Sequence, residues 1–257
     1  VGQVAGAEDH AVAVKPIRAF RERWHELLTR LAERPAEKSA PLRLAVVGGG
    51  AGGVELMLAM QYRLRHELSS QGRDPDALQC ALFTQSAEVL PTHNRRVRAR
   101  FTRLLKARGV ELHLNCQITR VEAGRLIDAQ GQAFETDETV WVTQAGGAAW
   151  LEGTGLALNE QGFIRVNDYL QTSQPHIYAA GDIVGPYQFT HMADYHARIV
   201  VRNILIPLVK SKVDYSAVPW CTYTDPEIAR VGLNEADAKA RNIGYDLFDE
   251  LLATSYA

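Results

Sequence analysis

The pattern of hydrophobic and polar positions predicts helices and buried strands in alternation along the first half of the chain. Residues 17–31, 54–68 and 94–107 each repeat apolar side chains at helical spacing. Residues 42–47 and 80–83 are short aliphatic runs, which suit the fully buried strands of a parallel sheet. Because strands and helices alternate here, the economical arrangement is a parallel sheet with helices on both of its faces.

Further short strands and one long helix are predicted after the third helix of this series. The strands lie at residues 111–114, 117–122, 125–127 and 139–143, where turn residues separate them. Residues 177–180 are an apolar run that predicts another strand. Thr190 then opens a helix that extends to about Leu208. The expected fold class is therefore α/β.

Composition and charge exclude some classes of function. The chain has 257 residues and a net charge of −2, with acidic and basic residues mixed along most of it, which argues against a dedicated nucleic-acid binder. The basic cluster at residues 95–106 indicates a solvated helix face, with a phosphate or 2′-phosphate contact as the alternative. No apolar run is long enough for a membrane span, and the N-terminus lacks the order of a signal peptide. We expect a soluble, cytoplasmic protein without a transmembrane segment.

The cysteines give no sign of a metal site. Cys80, Cys116 and Cys221 are far apart and form no CxxC or other metal-type pair. They indicate buried thiols in a reducing compartment, and not a disulfide framework. We therefore predict no metal ligands in this chain.

The sharpest chemical signal is a glycine-rich turn between the first predicted buried strand and the helix after it. Gly48, Gly50 and Gly53 fit the pattern G-x-G-x-x-G in the strand–turn–helix context that this pattern requires. The first glycine permits a tight turn, the second lets a pyrophosphate approach the backbone, and the third lets helix and strand pack closely. Free amides at the helix start would hold the diphosphate. The sequence predicts a Rossmann-like dinucleotide-binding domain, against the alternative of a purely structural turn.

The ribose contact is less clear than the phosphate contact. Such domains usually place Asp or Glu at the end of the second strand, or Arg where a 2′-phosphate binds. Here that strand is followed by Thr84 and Gln85, and no charge occurs before Glu88. Thr84 or Gln85 could bond a ribose hydroxyl. Neither residue chooses between NAD and NADP, so both remain open.

Several motifs together resemble the pyridine nucleotide-disulfide oxidoreductase family of flavoproteins. The strand at residues 177–180 ends in Gly181-Asp182, about 130 residues after the glycine-rich turn. The segments that also match the family are residues 48–55 (a G-G-G-x-x-G-x-E pattern), Leu90-Pro91, residues 109–112 (a GV-x-L strand), the turn at residues 143–146, and residues 220–232, which are close to an FTDPE-x-x-x-VG pattern. The last of these indicates the mercuric reductase and dihydrolipoamide dehydrogenase branch.

The resemblance implies roles for individual residues toward FAD and NAD(P). Asp182, after Gly181, would accept a hydrogen bond from the ribityl chain of FAD. The helix start around Ala193 would direct its amides at the flavin pyrimidine ring. Glu55 would lie close to the nicotinamide and flavin, although it also suits an ordinary acid in a first helical turn. Gly49 belongs to the nucleotide turn, and Gly146 to the turn that leaves the nicotinamide domain.

The two histidines of the last predicted helix do not form a metal pair. His191 and His196 are at positions i and i+5 and share a helix face poorly. We interpret His191 as a packed residue or one at the edge of the flavin site.

The resemblance also implies a division of the chain. Residues 1–40 would be the tail of the first FAD-domain half with a connecting helix, and residues 41–147 the NAD(P)-binding domain. Residues 148–212 would be the second half of the FAD domain, and residues 213–257 a truncated dimerisation domain. On this interpretation the chain is a fragment of an enzyme that is a homodimer at full length. The fragment is expected to retain FAD weakly or not at all and to associate.

The function that follows is a flavoprotein oxidoreductase that passes hydride from NAD(P)H to FAD and on to a disulfide, a metal ion or another acceptor. The identity of the acceptor stays open. One alternative is an acceptor- or quinone-reducing NADH dehydrogenase of the same superfamily. Another is a non-catalytic nucleotide-binding fragment.

Overall fold

The computed structural model describes residues 4–15, 17–33, 41–142, 146–147, 149–206 and 208–246. The chain divides into two compact units, Val1–Gln144 with Thr222–Ile228, and Ala145–Cys221 with Ala229–Ala257. The elements before residue 144 are α1 (Ala7–His10), β1 (Val12–Ala13), α2 (Ile17–Glu33), β2 (Leu42–Val47), α3 (Ala51–Ser70), β3 (Leu78–Phe83), α4 (Arg95–Ala107), β4 (Val110–His113), β5 (Ile118–Glu122), β6 (Arg125–Asp128), β7 (Ala133–Glu135) and β8 (Glu138–Trp141). The later helices and strands are α5 (Thr190–Leu205), β9 (Pro219–Thr222), β10 (Ile228–Val231) and α6 (Glu235–Ala240), with 3-10 turns at Ala149–Thr154 and Gly181–Val184.

A five-stranded parallel sheet is the centre of the first unit, and it confirms the predicted α/β fold. Its strand order is β1-β8-β2-β3-β4. β2 and β3 are in register from Leu42 opposite Leu78 to Val47 opposite Phe83, so the carboxyl ends of both strands lie side by side. Loops that follow these ends are therefore neighbours, which is where α/β sheets bind ligands.

Only one face of this sheet is covered by the long helices. Alternate residues of the strands, such as Leu44 and Leu82, are buried in a core with α2, α3 and α4. The opposite face packs against the three-stranded antiparallel sheet β5-β6-β7 and the four-residue helix α1. The expectation of helices on both faces is wrong because residues 114–137 connect β4 to β8 through hairpins, and these cover the second face instead of a crossover helix.

Helix α2 is fixed to the sheet by a buried carboxylate. Glu138, at the start of β8, is 5% exposed and pairs with both Arg23 and Arg30 of α2. The Arg23 Nε atom lies 3.2 Å from the carboxylate, and this charge raises the pKa of Arg23 above its ordinary value. Because a buried carboxylate needs partners, this double pair ties the position of α2 to that of β8.

Three expectations from the sequence need correction. Residues 177–180 do not form a strand, because their pairing is limited to an isolated bridge between Tyr178 and Gln171. Beside this bridge the Ala179 amide donates to the Leu170 carbonyl, and the Ile177 amide closes a local turn. The helix from Thr190 ends at Leu205 and not near 208, because Ile206 precedes a proline and has left the helical region. Helix α3 begins at Ala51 and not at residue 54, so two glycines lie within its first turn.

Candidate functional site

The glycine-rich turn joins β2 to α3, and it has no room for a side chain at Gly53 but open space at Gly50. Gly48 has φ +136°, a conformation that favours glycine, and its N–H donates to the Phe83 carbonyl at 2.8 Å. A Cβ atom on Gly53 would lie 1.8 Å from the Gly48 carbonyl oxygen, so α3 approaches the end of β2 as closely as backbone allows. A Cβ atom on Gly50 would meet no atom within 4 Å. The position in front of α3 is therefore open.

Gly49 ties this turn to the loop that follows β3. Its carbonyl accepts a hydrogen bond from Leu90 N–H at 2.7 Å, and a Cβ atom on it would lie 2.7 Å from Thr84 Cβ. The Thr84 side chain is buried, and its hydroxyl accepts from Ser86 N–H at 3.2 Å. Gln85 is exposed beside it. The structure thus places both candidate ribose ligands next to the glycine-rich turn, with Gln85 the more accessible.

Glu55, in the second turn of α3, holds a distant segment of the chain. Its Oε1 atom accepts a hydrogen bond from Tyr223 N–H at 2.8 Å. Nearby, His93 Nε2 lies 3.1 Å from Thr222 Oγ1, and Ile228 packs against the core of the parallel sheet. Residues 222–228 thus belong to the same unit as the glycine-rich turn, although Tyr223 is 168 positions from Glu55. No signal in the sequence pointed to this contact.

The turn at residues 143–146 is described only at its end. Thr143, Gln144 and Ala145 lie outside the described residues. Gly146 is exposed, and a Cβ atom on it would lie 3.1 Å from the Gln161 carbonyl. The tighter constraint is at the next residue, since a Cβ atom on Gly147 would lie 1.8 Å from the Gly162 carbonyl. Gly147 was not predicted from the sequence.

The Gly181-Asp182 pair opens a 3-10 turn in the second unit. Gly181 has φ +77° and is buried, while Asp182 is exposed at the first position after it. The Asp182 carbonyl accepts from Gly185 N–H at 3.2 Å, which closes the turn. The carboxylate of Asp182 is therefore presented at the surface of this unit by a fixed backbone.

Helix α5 begins at Thr190, six residues after the end of this turn, and some polar groups of its first turn already have partners within the protein. The amide of Ala193 already donates to the Phe189 carbonyl within the helix at 3.0 Å. His191 is exposed, its Nε2 atom lies 3.0 Å from the Pro219 carbonyl, and its ring stacks on that of Phe189 with centroids 5.2 Å apart. His191 is thus packed on its aromatic neighbour and against residue 219.

His196 is the functional candidate that the sequence reasoning missed. Its side chain has no exposed surface, and its Nδ1 atom accepts a hydrogen bond from Gly181 N–H at 3.1 Å. Its Nε2 atom lies 3.0 Å from the Tyr215 hydroxyl. Burial lowers the pKa of His196 from its ordinary value, which favours the neutral ring. The only hint in the sequence was a histidine five positions from His191.

Two absences concern the described part of the chain. Among those residues there is no group of three or more His, Cys, Asp or Glu side chains that could hold a metal ion. No described helix is long and apolar enough to cross a membrane. The cytoplasmic location stays a prediction.

A parallel sheet with a glycine-rich turn at its carboxyl edge, between the first core strand and the helix after it, defines a Rossmann-like dinucleotide-binding fold. Residues 6–197 match the family model of the pyridine nucleotide-disulphide oxidoreductases, and residues 218–255 match the dimerisation domain of the same family. The chain belongs to this family, as predicted. Members of the family carry FAD and use NAD(P)H.

Curated relatives come from the branch that the sequence indicated. A mercuric reductase of Staphylococcus aureus is 31% identical over 225 residues, which are 84% of this chain and 38% of that protein. A dihydrolipoyl dehydrogenase of Bacillus subtilis is 29% identical over 211 residues, 78% of this chain and 42% of the relative. The chain therefore spans about two fifths of the length of these relatives.

Solved structures agree with the fold. The HOCl-induced flavoprotein disulfide reductase RclA of Escherichia coli aligns with a TM-score of 0.64 at 26% identity, over 80% of this chain and 46% of that one. A reduced CoADR-RHD of Bacillus anthracis aligns with a TM-score of 0.69 over 96% of this chain and 43% of its own length. At 22% identity the second likeness shows the fold alone.

Proposed function

We propose that this chain carries the NAD(P)-binding part and a portion of the FAD site of a flavoprotein oxidoreductase. The reaction is hydride transfer from NAD(P)H to FAD and then to a disulfide, a metal ion or another acceptor. The observation that carries the proposal is the turn from Gly48 to Gly53, with one open glycine position in front of α3. Family membership of residues 6–197 supports the same reaction class.

The nucleotide site is proposed at the carboxyl edge of the parallel sheet. The pyrophosphate would lie over Gly50, where a side chain is missing and the surface is open. The amides and the dipole of the α3 N-terminus would stabilise its negative charge. Gly48, Gly49 and Gly53 would hold the turn in shape beneath it. In this arrangement the pyrophosphate is bound by backbone amides and not by charged side chains.

The adenosine ribose is proposed to contact the residues after β3. Gln85 is exposed there, whereas the Thr84 hydroxyl is already used by Ser86 N–H. An exposed amide side chain can bond ribose hydroxyls without carrying a charge. NAD and NADP are therefore both retained as nucleotides.

The flavin side of the site is proposed around Gly181 and Asp182. The exposed Asp182 carboxylate can accept a ribityl hydroxyl, because carboxylates are strong acceptors. Because the Ala193 amide is satisfied within α5, Ala193 is proposed to pack the turn, and the helix start at Thr190 and His191 to face the flavin. Gly146, at the exposed end of the domain connection, remains a proposed cofactor contact.

Glu55 is the residue proposed to act at the nicotinamide. Tyr223 N–H fixes one carboxylate oxygen of Glu55, and the other can orient a nicotinamide or a neighbouring cation. Bound FAD supplies the electron-accepting ring for hydride chemistry. The residues of this chain bind and orient the nucleotide, and the rigid turn restricts it to one orientation.

The family match supports two further proposals, one for the assembly of the protein and one for its domain boundaries. The agreement of residues 218–255 with the dimerisation domain supports a homodimer of the whole protein. We propose the division at residues 41–147 for the NAD(P) domain, with flavin-domain residues on both sides and the dimerisation domain from residue 213. The electron acceptor of the whole protein is proposed as a disulfide or a metal ion, in line with the named activities of its relatives.

The test is titration of the purified chain with NADH and NADPH by calorimetry, together with a visible absorbance spectrum. Wild-type chain is expected to bind at least one nucleotide. Gly50→Ala is expected to weaken that binding about tenfold, because its methyl group would occupy the proposed pyrophosphate position. Gly153→Ala is the matched control, since its Cβ also meets nothing within 4 Å but lies outside the proposed site.

Each outcome separates the alternatives. Flavin bands that either nucleotide bleaches would show a complete site in this chain and contradict the expected weak FAD retention. A colourless chain that binds nucleotide would support the NAD(P)-binding assignment. Binding of neither nucleotide, or equal binding by wild type and Gly50→Ala, would overturn it.

A further inference from the structure

A buried histidine lies behind the Gly-Asp turn of the second unit. The His196 side chain is completely buried in α5 and touches the turn by accepting the Gly181 N–H. Ala193 lies three residues before His196 on the same face of α5 and packs against the Gly-Asp turn. A Cβ atom on Gly181 would lie 3.0 Å from Ala193 Cβ. Gly181 is thus held to α5 at two points, one by packing and one by a hydrogen bond.

The hydrogen bonds fix the tautomer of the ring. Because Nδ1 accepts from a backbone amide, the proton of the neutral imidazole must be on Nε2. Nε2–H then donates to the Tyr215 oxygen across the 3.0 Å contact. The order of donors is therefore Gly181 amide, His196 ring, Tyr215 hydroxyl, and each partner has a defined role.

The turn needs such a partner because of its backbone conformation. Gly181 has φ +77°, and its amide points into the protein where water does not reach. A buried amide without an acceptor is costly, so loss of Nδ1 would favour a different turn. A changed turn would move the carboxylate of Asp182, which follows Gly181 directly.

We propose that His196 is a positioning residue for the FAD site: its Nδ1 atom holds the Gly181 amide and thereby fixes the Asp182 carboxylate relative to α5. The inference rests on the proposed function, because it takes Asp182 as the ribityl contact. His196 does not touch the cofactor. It acts through the turn.

Three variants of the whole natural protein test the proposal. His196→Asn keeps an acceptor at the position of Nδ1, whereas His196→Leu removes it at similar volume. His176→Leu is the matched control, because His176 is an exposed histidine of the same unit. The measurements are the FAD dissociation constant, the visible flavin spectrum, and amide hydrogen exchange of residues 181–184 in the FAD-free protein.

The size of each expected effect depends on whether the variant keeps a hydrogen-bond acceptor for the Gly181 amide. In His196→Leu the amide hydrogens of residues 181–184 should exchange faster than in wild type. FAD binding should be about tenfold weaker, and the flavin spectrum should shift. His196→Asn should restore most of each property, and His176→Leu should equal wild type. If His196→Leu does not fold, His196→Asn and Tyr215→Phe decide. The proposal requires both to retain FAD within about threefold and near-normal exchange, because both keep the Gly181 acceptor.

Other results overturn the proposal. Unchanged exchange in His196→Leu, or an affinity loss equal in His196→Asn and His196→Leu, would show that Nδ1 does not position the turn. A lower melting temperature with unchanged FAD affinity and spectrum would reduce His196 to a core residue. A wild-type protein that binds no FAD would instead refute the proposed function, and with it the cofactor role of this turn.

Discussion

A methyl group at residue 53 is the sharpest perturbation that the glycine-rich turn allows. The Cβ atom of an alanine there would lie 1.8 Å from the Gly48 carbonyl oxygen and 2.8 Å from its carbon. Both atoms are backbone, so no side chain can rotate away. Restoring an ordinary contact requires α3 and the end of β2 to separate by about 1.5 Å.

That separation has a calculable cost. The residues after Gly53 pack α3 on the sheet, and Val54 and Met57 have no exposed surface. Overpacking costs about 1–3 kcal/mol where side chains can adjust, and a backbone clash lies at the upper end or beyond. We expect Gly53→Ala to destabilise the protein by about 3 kcal/mol or more, which is a fall in melting temperature of about 6–12 °C.

Neighbouring glycines provide controls within the same turn. A Cβ atom on Gly52 would lie 3.5 Å from Val142 Cγ1, an ordinary contact, so Gly52→Ala should be neutral or stabilise α3 by up to about 1 kcal/mol. Gly50→Ala should leave stability within about 0.5 kcal/mol of wild type, because its methyl group meets nothing. Urea unfolding of the three variants measures this order. A Gly53→Ala protein as stable as Gly52→Ala would refute the reasoning from close approach.

Three further predictions follow from buried groups. Glu138→Gln should lower the free energy of unfolding by about 2 kcal/mol, because it breaks the two ion pairs of a buried carboxylate. The control Glu22→Gln, in an exposed helix pair, should change that free energy by less than about 0.5 kcal/mol. Similar values for the two variants in urea unfolding would contradict this. Burial lowers the pKa of His196, so the unfolded chain takes up that proton first, and stability should fall as pH drops below about 6.5 toward the folded pKa. His196→Asn should flatten this part of the stability–pH curve, and an unchanged slope would count against it. Burial also raises the pKa of the Cys80 thiol to about 11, so alkylation followed by mass spectrometry should label the half-buried Cys221 well before Cys80, and equal labelling would argue against this.

The sequence was a good guide where a local rule determines the structure. The glycine spacing, the aliphatic run of β2 and the helical pattern after it identified one strand–turn–helix unit correctly. Gly48 and Gly53 could be assigned because a tight turn and a close helix–strand approach each exclude a side chain. In such places a few adjacent residues carry the whole constraint.

Hairpins replaced helices on the second sheet face because strand pairing there depends on partners that the pattern does not name. Residues 117–122 and 125–127 were predicted as strands, but β7 (Ala133–Glu135) was missed and with it the three-stranded sheet. Similarly, residues 177–180 are as apolar as a buried strand yet lack a neighbouring strand among the described residues, so they pair only at Tyr178. Strand propensity measures fit to a sheet, and the sheet itself is a tertiary fact.

The two most informative site contacts are separated by distances that a sequence pattern does not span. Glu55 suited both a catalytic acid and a first-turn acid, and composition could not choose between them. In the structure its carboxylate accepts an amide 168 positions away, so its orientation depends on residues 222–228. His196 looked unremarkable at i+5 from His191, yet its relevant partner is Gly181, 15 residues earlier. Both side chains act by fixing a backbone amide in a distant turn. Their roles follow from which turn they fix, and therefore only the fold could reveal them.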